Sequence, residues 1–214
     1  MIHCAIAGER LALLPEKALY WAREATLFVA DFHLGKAAAF RSAGIPLPSG
    51  TTTDNVRRLS SALAATGAKR VVFLGDFLHA KAAKAPRTEA RFGAWRDENR
   101  ALELVLVRGN HDAHAGDPKA EWGIACIEEG AAFGPFIANH HPEPARGGYV
   151  LAGHIHPAVH LSDASGSMRL PCFWFSKRVG VLPAFGAFTG TATVRPREGD
   201  QVFVIADGEV IGVR

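Results

Sequence analysis

The feature that most constrains this chain is where its chemically active residues fall. They stand at the ends of apolar runs. Leu102-Glu103-Leu104-Val105-Leu106-Val107 reads as a buried strand of a parallel or mixed sheet. Arg108-Gly109-Asn110-His111-Asp112 follows at once, with His114 two residues further on. Open α/β sheets place their ligands just past the carboxyl ends of strands. Four other clusters are Asp31-Phe32-His33, Gly75-Asp76, His140-His141 and Gly153-His154-Ile155-His156, and most of these also follow apolar runs. The chain reads as an α/β scaffold that brings five loop ends together.

The rest of the sequence supplies the scaffold. Ile2 to Ala7, Leu11 to Leu14, Ala18 to Trp21 and Thr26 to Ala30 are strand-like and separated by turn-like pairs. The fourth is the most apolar and delivers Asp31 and His33. A helix is predicted over 36–43, carrying Lys36 and Arg41, and a loop over 45–50. A second helix is predicted from Thr52 to Thr66. Thr51 and Asp54 resemble a capping box before it, Val56, Leu59 and Leu63 share one face, and Gly67 stops it. Val71 to Leu74 then forms a strand ending in Gly75-Asp76, which completes a βαβ unit. Residues 77–90 hold His79, Lys81, Lys84 and Arg87 with few large apolar groups, so a mobile loop is expected. A helix anchored by Phe92 and Trp95 is predicted over 88–99.

Past the central strand, Asp117-Pro118 starts a turn and Trp122 to Ile127 reads as a strand. Phe136 to Ala138 leads into Asn139-His140-His141-Pro142, and Tyr149 to Ala152 leads into Gly153. The last third is mostly strand: Ala158 to Leu161, Met168 to Phe175, Val179 to Leu182, Gln201 to Ala206 and Val210 to Val213. Gly186-Ala187-Phe188-Thr189-Gly190 is a turn or a close approach of backbones. No repeat, low-complexity tract or linker divides residues 1–214, so a single domain is expected.

Composition removes several classes. A formal charge of +3 permits nucleic acid as a partner without arguing for it, because a binding stripe requires clustering. Cys4, Cys126 and Cys172 lie far apart with no C-x-x-C pair, which fits three core residues in a reducing cytoplasm. Met1-Ile2-His3-Cys4 lacks the features of a signal peptide, and no apolar stretch approaches the roughly 20 residues of a membrane span. No membrane partner is expected.

The chemistry follows from residue type and spacing. Asp31 and His33 are two apart, as are His154 and His156, so each pair is expected to face one side of a pleat. A glycine before a ligand is expected to let the backbone approach an ion. Carboxylate, imidazole and amide oxygen together suit Mn²⁺, Fe²⁺ or Zn²⁺ rather than a thiolate zinc site. A carboxylate can bridge two cations about 3.5–4 Å apart, the usual separation in two-metal hydrolases. Asp31, His33, Asp76 and His156 can serve one metal; a shared Asp76, Asn110, His140 and His154 can serve the other. His111 remains as a general acid for a leaving oxygen, with Asp112 to orient it.

This ordered set, D-x-H, G-D, G-N-H-D, H and G-H-x-H, resembles the calcineurin-like metallophosphoesterase superfamily. The resemblance implies a two-sheet α/β sandwich flanked by helices, with a dinuclear site at the strand ends. It extends further. Asp31-Phe32-His33-Leu34-Gly35-Lys36, Leu74-Gly75-Asp76-Phe77-Leu78-His79, Gly153-His154-Ile155-His156-Pro157, Leu170-Pro171-Cys172-Phe173-Trp174-Phe175 and Leu182-Pro183-Ala184-Phe185-Gly186 are similar to the bacterial ligase-associated DNA-damage-response metallophosphoesterases. That subfamily implies a manganese-dependent nuclease and phosphodiesterase working beside DNA ligase and helicase. His79, three residues after Asp76, resembles the histidine that touches the scissile phosphate in SbcD-type repair nucleases. For the fourth motif His140 keeps the two-residue spacing to Pro142, and His141 is the alternative.

The expected function is therefore a dinuclear metal-dependent phosphodiesterase or endonuclease that cuts DNA, single-stranded by preference, through in-line attack of a metal-bound hydroxide. His111, His79, Asp112 and Arg108 are the candidate catalytic residues, and His79, Arg108, Lys36 and Arg41 the candidate substrate contacts. Arg108 could equally form an ion pair with a helix carboxylate. Lys36, Arg41, Lys81, Lys84 and Arg87 fit a solvated face as well as a phosphate surface. Phe173, Trp174, Phe175 and Phe185 read as core rather than base-stacking groups. A small-molecule phosphodiesterase or phosphatase on the same site is the main alternative. A non-enzymatic scaffold, as in a retromer subunit, would have eroded motifs, and these are intact. A homodimer is neither demanded nor forbidden.

Overall fold

A computed structural model describes residues 1–42, 44–45, 51–80, 84–163 and 166–213. The first of its two sheets has seven strands in sequence order. They are β1 (Ile2–Ile6), β2 (Glu9–Leu14), β3 (Ala18–Trp21), β4 (Thr26–Ala30), β5 (Arg70–Leu74), β6 (Glu103–Val107) and β7 (Ile124–Ile127). The first four form an antiparallel meander, and β4 through β7 run parallel. Parallel neighbours require crossovers, and helices α1 (Lys36–Ser42), α2 (Thr51–Thr66), α3 (Pro86–Glu98) and α4 (Asn110–Ala115) lie within them.

The pleat divides each central strand between two cores. Leu27 and Val29, Val71 and Phe73, and Leu104 and Leu106 face α2 and α3, packing with Val56, Leu59, Phe92 and Trp95. Phe28 and Ala30, Val72 and Leu74, and Val105 and Val107 face the second sheet, packing with Phe136, Leu151, Phe173 and Phe203. Cover on both faces is why these strands are continuous apolar runs.

The second sheet has nine strands: β8 (Ala131–Phe133), β9 (Phe136–Ala138), β10 (Tyr149–Ala152), β11 (Pro157–Asp163), β12 (Gly166–Phe175), β13 (Val179–Val181), β14 (Ala192–Thr193), β15 (Gln201–Ala206) and β16 (Glu209–Gly212). In β12, Phe173 and Phe175 point into the shared core, while Cys172 and Trp174 point outward. The outward clusters of this sheet contain no helix residue among the described residues, so the helices cover only the first sheet. Among the described residues, no helix is long and apolar enough to cross a membrane.

Several expected boundaries shift. Thr51 is the first residue of α2 rather than its cap. Helix α3 starts at Pro86, two residues early, because a proline's fixed φ suits the first helical turn. The expected mobile loop thus gives way to helix at its end, while 46–50 and 81–83, Lys81 among them, lie outside the described residues. The strand expected from Trp122 starts at Ile124, after a short 3-10 turn that buries Trp122. The segment read as a loop at Asn110 is a helix, with Gly109 as its cap. Strands β8 and β14, of three and two residues, carry too little periodicity to be recognised in sequence.

Candidate metal centre

The sandwich brings the five clusters to one place. Asp31 follows β4 directly, Asp76, His140 and His154 stand two residues past β5, β9 and β10, and Asn110 stands three past β6. Asp31 and His140 are fully buried, and His33 and Asp76 nearly so. Both sheets contribute, and a parallel bridge between Ala30 and Ala184 joins the strand end to the segment beyond β13.

The turns that aim these side chains are not pleated strand. Asp31, His33, Asp76, His154 and His156 have φ of 51°, 48°, 50°, 70° and 50°. This corrects the expectation that each i, i+2 pair shares a pleat face: left-handed turns, uncommon away from glycine, aim the side chains, bringing Asp31 beside His33 but sending His154 toward His140 and His156 toward Asp31 and His33. Backbone hydrogen bonds hold the turns. The N–H groups of His33 and Leu34 donate to the carbonyls of Asp76 and Phe77 at 2.9 and 2.7 Å. The His154 N–H donates to the Asp31 carboxylate, and the His111 N–H to Asp76 Oδ1, each at 3.0 Å.

The glycines also have another role than expected. A Cβ on Gly75 would collide with the His140 ring, one on Gly109 with Asp76, and one on Gly153 with Asp31. Each makes room for the side chain of a neighbouring cluster, so the backbones approach one another's ligands rather than an ion.

Lone pairs converge at the centre. His140 Nδ1 lies 3.2 Å from the Leu74 carbonyl, which can only accept, so Nδ1 carries the proton and Nε2 presents a lone pair. That Nε2 sits 2.9 Å from Asn110 Oδ1, 3.0 Å from His154 Nδ1 and 3.4 Å from Asp76 Oδ1. His156 is held in the same way: Nδ1 donates to the Gly190 carbonyl at 2.9 Å and Nε2 faces Asp31 Oδ1 at 3.5 Å. Both ring nitrogens of His33 are buried without a hydrogen-bond partner. Such atoms crowd together at a cost unless a cation lies among them. The donor atoms of Asp31, His33 and His156 fall within 4.8 Å of one another, as do those of Asp31, Asp76 and His140, and those of His140, His141 and His154. The residues present fit a pair of divalent cations.

The electrostatics agree. Burial, then Lys36 and the neighbouring histidines, hold His33 far below its ordinary value. Burial also lowers His140 and His154, which keeps their rings neutral and able to ligate. Burial, and the nearby Asp31 charge, push Asp76 up, against the opposing His111 N–H. Burial pulls His156 down, but the hydrogen bond and charge of Asp31 raise it overall.

His111 and His79 stand at the edge of this centre. Their rings stack at 4.9 Å, and Phe40 stacks on the other face of His79 at 5.7 Å. His111 Nδ1 donates to the His79 carbonyl at 2.8 Å, leaving Nε2 directed toward Asp76 Oδ2 at 3.8 Å. Burial, then Lys36 and His111, lower His79 to about 4. Lys36 is itself lowered by burial while the charges of Asp31 and Asp76 oppose that, and its ammonium lies 6.0 Å from the Phe40 ring centre.

Other expectations require correction. Asp112 does not orient His111. Its carboxylate accepts the N–H groups of Phe77, Leu78 and Gly109 at 3.2, 2.9 and 3.0 Å, pinning the Asp76 turn to the start of α4. The His79 carbonyl orients His111 instead. Arg108 turns away: Nε and Nη2 bond Asp117 at 2.8 Å each and Nη1 bonds Glu128 at 2.6 Å. This is the ion-pair alternative, with partners outside helices. Arg41 is exposed near the end of α1. His141 Nδ1 lies 3.1 Å from Glu129 Oε1, whereas His140 is the ring in the buried centre.

Two supporting residues escaped the sequence reading. Glu129 Oε1 accepts the backbone N–H groups of His140 and His141 at 2.7 Å each, fixing that turn. No motif marks it. Asn55 is buried and bonds the Phe32 carbonyl at 3.0 Å and the Ala187 N–H at 3.1 Å, tying the Asp31 turn to the 185–190 segment. It had a signal: a polar residue in the i, i+4, i+7 stripe with Leu59 and Ala62.

Comparison with known proteins decides the family. A crystal structure of the Pseudomonas putida nuclease MPE superposes with a TM-score of 0.88, is 39% identical, and is covered over 99% of both chains. This chain belongs to the metallophosphoesterase family. A second structure, the Escherichia coli phosphoesterase YfcE, is 13% identical over 87% of this chain and 96% of that one, with a TM-score of 0.42. No family model and no curated protein sequence matches the chain. As a metallophosphoesterase the protein is a hydrolase of phosphoester bonds.

Proposed function

We propose that this metallophosphoesterase is a two-metal phosphodiesterase that cuts single-stranded DNA. The observation that carries the reading is the meeting of ligand atoms of Asp76, Asn110, His140 and His154 beside the group formed by Asp31, His33 and His156. It stands in a chain 39% identical to a nuclease. Asp31, His33 and His156 would hold one cation and Asn110, His140 and His154 the other, with Asp76 between them. Mn²⁺ suits this mixture of oxygen and imidazole donors, ahead of Fe²⁺ and Zn²⁺. Bound there, the cations supply positive charge for the phosphoryl oxygens and lower the pKa of an attacking water.

The chain's own residues do the rest. The Nδ1 proton of His111 is committed to the His79 carbonyl, so in the doubly protonated ring Nε2–H is the group that passes a proton to the leaving oxygen. His79, held between Phe40 and His111, offers a neutral ring to the phosphate. Lys36 adds charge on the same side. All seven proposed ligands come from one chain, so no second copy is needed for the site. A core shared by both sheets supports a single domain over 1–214. The motif resemblance supports a setting in cytoplasmic DNA repair beside ligase and helicase, with which three free cysteines agree.

The test is incubation of metal-stripped protein with circular single-stranded DNA, with and without Mn²⁺, beside an Asn110→Ala control. Cutting only with Mn²⁺ and only by the intact protein is the expected result. One observation favours the alternative of a small phosphodiester or monoester substrate: the Arg108 guanidinium is spent on Asp117 and Glu128. A circle that survives while an aryl phosphodiester is hydrolysed would establish that alternative.

A further inference from the structure

The outward face of the second sheet carries a groove of about 590 Å³ that the metal centre does not use. Its walls include Pro142, Trp174, Val179 and Val181, with Arg195 and Arg197 at the rim. This volume lies in the range of small-ligand pockets, and no helix covers it among the described residues. Three features point to one kind of occupant.

The first is the aromatic. Phe173, Phe175 and Phe185 are buried, but Trp174 is only partly so and has no aromatic neighbour among the described residues. Its Nε1–H donates to Asp200 Oδ2 at 2.8 Å, which fixes the indole in the wall. The second is charge. Arg195 and Arg197 are exposed and form no ion pair among the described residues. The one carboxylate lining the groove, Asp200, is occupied by the Trp174 indole and the Arg197 backbone N–H at 2.8 Å. The third is position. Pro142 is two residues from His140, a span of at most about 7 Å. Ile155, between His154 and His156, belongs to the same apolar cluster as Val179 and Val181 and packs near Trp174.

We propose that this groove holds a nucleotide flanking the scissile phosphate of single-stranded DNA. Its base lies against Trp174 and the apolar wall, and its phosphates meet Arg195 and Arg197. A planar aromatic wall accepts any base, and an arginine fork matches a phosphate. A base paired in a duplex cannot turn into the groove without leaving its stack, so the groove favours unpaired strands. The inference rests on the nuclease reading and adds the surface that would select the strand.

The test uses full-length protein with Mn²⁺ on two substrates: a dT oligonucleotide and a small aryl phosphodiester that cannot reach the groove. The variants are Trp174→Ala and the surface pair Arg195→Gln/Arg197→Gln, which alters no buried residue. For the oligonucleotide, Trp174→Ala should raise KM roughly tenfold, the scale of a lost base stack, with kcat nearly unchanged. The double arginine variant should flatten the dependence of log KM on log salt by about 1.4, which is about 0.7 per phosphate contact on a single strand. Aryl ester turnover should match the wild type for both. Wild-type KM and salt slope for the oligonucleotide in the arginine pair would overturn the groove while leaving the nuclease reading intact. Equal losses on both substrates would overturn it too, as the mark of a purely structural role. Wild-type protein that hydrolyses the aryl ester but neither cuts nor binds the oligonucleotide would instead remove the nuclease reading, and this inference with it.

Discussion

Replacing Gly153 by alanine would place a methyl group 2.5 Å from Asp31 Oδ2 and 2.7 Å from the Ala30 Cβ. Ordinary contacts begin near 3.4 Å, so the carboxylate would have to give by roughly 0.9 Å. It has little freedom to do so. Asp31 is fully buried, its oxygens accept the His154 N–H, and Oδ1 faces His156. Gly153 is not in a left-handed conformation, so the substitution acts through space and not through backbone strain. Overpacking of this kind costs about 1–3 kcal/mol of stability. A displaced ligand should cost more in binding, and a disturbed supporting contact alone typically weakens a metal site roughly 10–100-fold. Mn²⁺ affinity measured by calorimetry on metal-stripped protein should fall by at least that factor, alongside a lowered thermal midpoint. Gly190→Ala is the control: nothing lies within 4 Å of its added carbon, though its carbonyl also holds a proposed ligand. Wild-type Mn²⁺ affinity in Gly153→Ala would refute the reasoning that glycines here clear space for ligands.

Further expectations can be checked separately. His111→Ala should bind Mn²⁺ normally yet lose roughly 10²–10⁴ in kcat, the usual range for acid catalysis, and wild-type turnover would remove that role. Asp112→Ala should lower unfolding free energy by several kcal/mol in urea, because three buried backbone donors lose their acceptor at about 1–3 kcal/mol each. Glu129→Gln should weaken Mn²⁺ binding less than Glu129→Ala, since one amide oxygen can still accept the His140 and His141 N–H groups. Lys17 is lowered to about 8 by burial and then by Arg58. Below pH 8 its charge therefore destabilises the folded state, and between pH 8 and its ordinary value the unfolded chain binds more protons, so stability rises with pH. Lys17→Met should be more stable than wild type at pH 7, by up to about 3 kcal/mol, and the advantage should vanish near pH 10.5. A difference independent of pH would contradict that account.

The scaffold was legible where burial imposed a pattern. β4, β5 and β6 are covered on both faces, so each appears as an uninterrupted apolar run with its polar cluster at the end. The ligand types and their order were legible for the same reason. The route by which they converge was not, because Asp and His tolerate a left-handed φ more often than most residues but adopt it at few of their positions, so residue type alone does not mark the turns at Asp31 or His156. Asp112 and Arg108 stood in the right motif, but their hydrogen-bond partners come from Phe77, Leu78, Asp117 and Glu128, at separations that local spacing cannot encode. Trp174 was read as core along with Phe173 and Phe175. The alternation of β12 turns it to the opposite face.

The candidate ligands are drawn from both sheets and span Asp31 to His156 in sequence. The first sheet alone carries Asp31, His33, Asp76 and Asn110 at its strand ends, and the second carries His140, His154 and His156. Neither set alone offers the seven donors of the complete centre. Only docking of one sheet on the other assembles the full set. The complete receptacle therefore exists only in the folded protein.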